Sequence, residues 1–204
     1  MLTKKEFKII ELFVNNVFME PTIRDIMKKL KTSSYSWTYN AVKLLEKENV
    51  LNITKKGNSS LCKINLEEQK TITYLSVVEQ LRASKKNIPN IKKIMKEIEI
   101  SYFTLLVTGS YAGGKKRKDS DLDIVVIVGE NRRVKPILNK LRNAGEIIIP
   151  EVHPYVFTED EFIKMLTEDG ENYGKEIAKK HLIIAGAEPY YRILRKAIKN
   201  GYKN

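Results

Sequence analysis

The sequence predicts a mixed fold of the α/β (α+β) class, built in two parts. Three observations predict it. The N-terminal third carries three runs of helical apolar spacing, followed by two β-like runs joined at a basic tip. A polar, basic stretch over 84–89 then interrupts the pattern. Beyond it, a β-branched and aromatic run stops at Gly109-Ser110, and after ten more residues the chain reads Asp121-Leu122-Asp123 at the head of a second apolar run.

Thr3-x-x-Glu6 is a capping box that opens the first helix, with Phe7, Ile9, Ile10, Phe13 and Val14 following. Pro21-Thr22 ends a loop and starts a second helix whose Ile23, Ile26, Met27 and Leu30 face inward. Thr32-Ser33-Ser34 is a turn. The third helix carries Trp37, Ala41, Val42, Leu44 and Leu45 on its apolar face. Strands are expected over Val50–Ile53 and Ser60–Ile64, joined by Lys55-Lys56-Gly57-Asn58-Ser59. This element order resembles a winged helix-turn-helix over about residues 3–66. The resemblance implies a third helix that enters the major groove of duplex DNA and a wing that touches the backbone. It places Ser33, Ser34, Tyr35, Ser36, Thr38, Tyr39 and Asn40 toward the groove, with Lys55, Lys56 and Asn58 on phosphate. The helix start contains no arginine, the commonest reader of guanine, so a protein-binding or dimerising module is the competing reading. A homodimer is expected if the module reads DNA.

Residues 67–99 are expected to connect the parts. Ile72, Leu75, Val78 and Leu81 form a helical stripe, and Ile91–Ile98 reads as a short amphipathic helix. The second part, 100–204, opens with the strand Tyr102–Thr108.

In a strand, side chains two apart share a face, about 6.7 Å apart along the backbone. Asp121 and Asp123 therefore converge if Asp121–Val128 is a strand, and two carboxylates on one face need a neutralising cation. Mg²⁺ takes oxygen ligands and completes its shell with water and substrate phosphates. Gly109 permits a sharp bend and close approach of a phosphate to the backbone, while the Ser110 hydroxyl donates to it. An exposed polar hairpin is the competing reading of the pair, but it leaves Gly109-Ser110 unexplained.

Gly109-Ser110-Tyr111-Ala112-Gly113-Gly114, ending in Ser120-Asp121-Leu122-Asp123-Ile124-Val125, resembles the minimal nucleotidyltransferases of the DNA polymerase β superfamily. The resemblance implies a mixed sheet flanked by helices, a nucleoside triphosphate substrate (ATP by family habit), and Mg²⁺ or Mn²⁺ held by Asp121 and Asp123. It also implies transfer of AMP to a hydroxyl. Gly109, Ser110 and a basic residue of the loop, Lys115, would hold the nucleotide. The chain departs from the pattern twice. Gly113 stands where relatives often carry arginine, and no aspartate follows on the next strand candidate, Ile147–Phe157. Glu151 is the candidate third catalytic carboxylate, with His153 as an alternative base on the same face. Three functions follow from the resemblance: an active nucleotidyltransferase, a DNA-binding regulator with a nucleotide-binding but inactive domain, or an antitoxin-like protein acting on a helical toxin.

The tail continues with a second capping box, Thr158-x-x-Glu161, a helix over Tyr173–Lys180, an apolar run over His181–Gly186, and a last helix over Pro189–Lys199 with Tyr190, Leu194 and Ile198 as its packing stripe. Across 204 residues, 37 Lys and Arg oppose 25 Asp and Glu, for a net charge of +12. That excess fits a polyanionic partner, or a Lys/Glu/Ile-rich surface of heat-adapted type. One cysteine, Cys62, excludes an intrachain disulfide. No apolar run approaches the ~20 residues of a membrane helix and the N-terminus has no apolar leader, so a cytoplasmic protein is expected.

Overall fold

The computed structural model describes residues 2–114, 120–146 and 148–203. The chain divides into two compact units, one running to Val78 and including Lys203, the other spanning Glu79–Tyr202.

The first unit holds α1 (Lys4–Glu11), α2 (Ile23–Lys29) and α3 (Tyr35–Lys47), then the antiparallel strands β1 (Leu51–Lys56) and β2 (Ser59–Ile64). Both Thr3/Glu6 and Thr22/Asp25 form complete capping boxes, the second absent from the sequence reading because aspartate replaces the usual Glu or Gln. Ile9, Ile10, Phe13, Ile26, Val42 and Leu45 make a closed core. The hairpin is pinned to the entry of α2, where the Cys62 amide donates to the Pro21 carbonyl at 2.9 Å. Lys56 pairs with Ser59, so the tip is Gly57-Asn58 and both Lys55 and Lys56 lie on β1 rather than in the turn. Thr38 does not face outward as expected. It is fully buried, because it falls on the inner stripe with Ala41, Val42 and Leu45, and its hydroxyl donates to the Ser34 carbonyl at 3.1 Å.

Helix α4 (Gln69–Ser84) contributes Gln69–Val78 to the first unit and Glu79–Ser84 to the second, so the contacts divide inside this helix rather than at 66 and 99. Its stripe is buried at Ile72, Leu75 and Val78, but Leu81 is exposed and Glu79 is fully buried in its place. The Glu79 carboxylate accepts from Arg82 Nη1 at 2.8 Å and from the Tyr191 hydroxyl at 2.9 Å, which offsets the cost of desolvating its charge.

The second unit continues with α5 (Ile91–Lys96), β3 (Phe103–Val107), α6 (Gly109–Ala112), β4 (Leu122–Val128), α7 (Asn131–Gly145), β5 (Val152–Thr158), α8 (Glu159–Thr167), α9 (Tyr173–Lys179), β6 (Leu182–Ala185) and α10 (Ala187–Lys199). Among the described residues its sheet has the order β5-β4-β3-β6, with β4 and β5 parallel and the other pairs antiparallel. It is a mixed sheet flanked by helices. Leu105, Val107, Leu122, Ile124, Val126, Ile137 and Leu141 share one core with α5 and α7. The alternate residues of the strands face α8 and α10, where Phe162, Tyr190 and Tyr191 are buried. Helix α7 was not anticipated, although Val134, Ile137, Leu138 and Leu141 have helical spacing. Pro154 is tolerated within β5 because β5 is the sheet's edge. Among the described residues, no helix is long and apolar enough to cross a membrane.

Candidate active site

Strand β3 delivers Thr108 and Gly109 beside the start of β4. The Thr108 amide donates to the Asp123 carbonyl at 3.0 Å, which fixes the turn against the acidic strand. Gly109 has φ +62°, and a Cβ there would lie 2.2 Å from Asp123 Oδ2. Any side chain at this position would strain the turn and displace this carboxylate. Ser110 follows in the short helix α6, and its buried hydroxyl has no hydrogen-bond partner among the described residues. A polar atom in that state has its hydrogen-bonding capacity in reserve for a ligand.

Asp123 is the second residue of β4 and is partly buried. Burial, followed by the neighbouring carboxylates Asp121 and Glu176, raises its pKa, with His153 acting in the opposite sense. Asp121 lies one residue before β4, on exposed chain, and its charge acts on Asp123. Lys115 lies outside the described residues.

The parallel register places His153, not an acid, directly across from Asp123. His153 Nδ1 is 3.8 Å from Asp123 Oδ1, and Nε2 is 3.4 Å from Glu151 Oε1. Glu151 precedes β5 with its side chain 70% exposed, and it joins the cluster through the imidazole. The described residues bring no three ligating side chains together as a metal site. The structure thus unites Gly109 and Asp123 closely, sets Asp121 near enough to raise the pKa of Asp123, and connects Glu151 through His153. The strand expected over Ile147–Phe157 begins at Val152, so Glu151 lies one residue before β5, with His153 between it and Asp123.

The sequence reading missed the cleft's other wall. Thr108, Gly109 and Asp123 share a cleft of about 120 Å³ with Tyr155, Tyr173, Glu176 and Lys180. The Tyr155 and Tyr173 rings lie 4.8 Å apart between centroids. The Tyr173 hydroxyl is 3.5 Å from that of Thr108, and burial raises its pKa. Part of the signal was present: Tyr173 and Glu176 recur at helical spacing on one face of α9, and Lys180 follows as its C-cap residue.

No curated protein matches the chain. Among solved structures, a chain from a crystal structure described as a toxin-antitoxin with AMP-PNP is 17% identical, covering 54% of this chain and 82% of that one, with a TM-score of 0.35. The family model described as nucleotidyltransferase domain matches residues 88–200, more than half of the chain. That span takes in the Gly109-Ser110 turn, the Asp121/Asp123 pair and all of α9, and on this match the chain belongs to the nucleotidyltransferase domain family.

Proposed function

We propose that the second unit transfers a nucleoside monophosphate, AMP from ATP, to a hydroxyl acceptor and releases pyrophosphate. The observation that carries this reading is the packing of the Asp123 carboxylate on the Gly109 backbone, with the unpartnered Ser110 hydroxyl next in the chain. A triphosphate reaching that turn lies beside an anionic carboxylate, an arrangement that needs a cation between them. Asp121 and Asp123 supply oxygen donors suited to Mg²⁺ or Mn²⁺. The ion's contribution, when bound, is to offset phosphate charge and orient the α-phosphorus. Gly109 and Ser110 orient the triphosphate. The acceptor oxygen forms a bond to the α-phosphorus, the bond from that phosphorus to the α,β-bridging oxygen breaks, and pyrophosphate departs. The hydroxyl proton passes to the His153–Glu151 pair, Glu151 acting through the ring. The acceptor classes are a protein side chain, including that of a helical toxin, an RNA end or a small molecule.

The test is release of pyrophosphate from ATP with Mg²⁺, alongside transfer of α-phosphate label to candidate acceptors. Asp121→Asn and Asp123→Asn are expected to lower turnover on the order of 10²- to 10³-fold, the scale for losing a group that offsets transition-state charge. Turnover in both variants equal to that of the unaltered chain removes the reading. The histidine opposite Asp123 favours a second reading, nucleotide binding without turnover. Binding of ATP with no label transferred to any acceptor class supports it.

For the first unit we propose a winged helix that binds duplex DNA. Ser34, Tyr35, Ser36 and Tyr39 are exposed at the start of α3, with the Tyr35 and Tyr39 rings stacked 6.2 Å apart, and Lys55 and Lys56 are exposed on β1. Loss of both lysines to alanine is expected to reduce the salt dependence of duplex affinity, by roughly one unit of slope per phosphate contact removed. Fluorescence anisotropy across a salt series measures this, and an unchanged slope rejects the wing contact.

A further inference from the structure

The geometry points to Lys180 as the cation that holds the terminal phosphates of the nucleotide, an inference that rests on the nucleotide reading above and names the subsite within it. Two glycines of the turn make room for two opposite charges. At Gly109 a Cβ would meet Asp123, whereas at Gly113 it would lie 2.2 Å from Lys180 Cε and 2.4 Å from Lys180 Nζ. The ammonium thus rests on the backbone of the turn. Its approach is set by the end of α9, where the Lys180 amide donates to the carbonyls of Glu176 at 3.0 Å and Ile177 at 3.2 Å. Among the described residues no carboxylate lies within ion-pairing distance of Lys180, although Glu176 and Asp123 line the same cleft. The cleft is therefore divided. Asp123 lies at one glycine and suits a cation, and Lys180 lies at the other and suits an anion. A triphosphate bridging the turn meets both, its terminal phosphates on the ammonium.

The experiment is calorimetric titration of the full chain with Mg²⁺ and α,β-methylene-ATP, and separately with AMP. Lys180→Gln is expected to weaken binding of the ATP analogue roughly ten- to hundredfold, the range for losing a hydrogen bond to a charged group. AMP affinity stays unchanged, and Lys180→Arg retains most of the ATP affinity. Gly113→Arg in the Lys180→Gln background restores it, since Gly113 has an ordinary helical φ of −78° and the lysine that would obstruct a side chain there is gone. Equal affinity of Lys180→Gln and the unaltered chain for the ATP analogue overturns the assignment alone. So does a loss confined to Lys115→Ala. An unaltered chain that binds neither nucleotide overturns the nucleotide reading and this subsite with it.

Discussion

At the scale of residues, the site depends on where a single methyl group can and cannot be placed. Gly109 and Gly114 both sit at positive φ, +62° and +66°, so alanine at either position adds backbone strain of roughly 1–2 kcal/mol. They differ in what surrounds them. A Cβ at Gly109 meets Asp123 Oδ2 at 2.2 Å, while one at Gly114 meets nothing within 4 Å among the described residues. Gly109→Ala and Gly114→Ala are therefore expected to lose similar stability, but only Gly109→Ala displaces the Asp123 carboxylate and weakens ATP binding, by at least about tenfold. Thermal unfolding and nucleotide titration of the two variants side by side check this. Equal loss of binding in both would show that strain, not displacement of the carboxylate, governs the turn.

At the scale of elements, α8 has no loop before it. Thr158 is the last residue of β5 and also the N-cap of α8. Its hydroxyl accepts from the Glu161 amide at 3.1 Å, and the Glu161 carboxylate accepts from the Thr158 amide at 2.8 Å. The direction of α8, and through it the seating of α9 with Tyr173 and Lys180, starts from this box. Thr158→Ala is expected to cost about 1 kcal/mol, with Thr158→Ser close to the original. Urea midpoints of the three chains test the order, and an alanine variant as stable as the serine one rejects the cap as the source. The box was visible in the sequence because it depends on neighbours three residues apart. Helix α4 shows the opposite case. Its apolar spacing nominated Leu81 for the interior, yet Glu79 is buried instead because Arg82 and Tyr191, the latter 112 residues away, satisfy its carboxylate.

At the scale of the whole molecule, the second unit buries a histidine. His181 is 3% exposed and packs beside Tyr190, with ring centroids 4.7 Å apart. Its Nδ1–H donates to the Ile177 carbonyl at 2.8 Å, while Nε2 has no partner among the described residues. Burial pushes its pKa down from 6.5 to about 4, with the Arg82 charge adding to the effect. As pH falls below 6.5 the unfolded chain takes up this proton and the folded chain does not. Stability is thus unaffected above pH 6.5 and is lost progressively between about 6.5 and 4, by on the order of 3 kcal/mol from this group. His181→Gln, which cannot titrate there, is expected to show a correspondingly flatter dependence of urea midpoint on pH across that window. Parallel curves for the two chains would place the acid sensitivity elsewhere.

The sequence by itself determined the elements that depend on close neighbours, and the chemical type of the turn and acid pair: helical spacing, capping boxes, and glycine and carboxylates at the ends of β-branched runs are all local signals. It fell short where a property arises from pairing distant segments. The register of β4 with β5, which put His153 opposite Asp123, was not legible in either strand alone. The fold of α9 against the turn brought Lys180 onto Gly113 across 67 positions of chain (180 less 113). Thr38 turned inward because three helices must bury a common face. Sheet register and the mutual packing of helices are set by the joint burial of many apolar side chains, and no short run of residues encodes that sum.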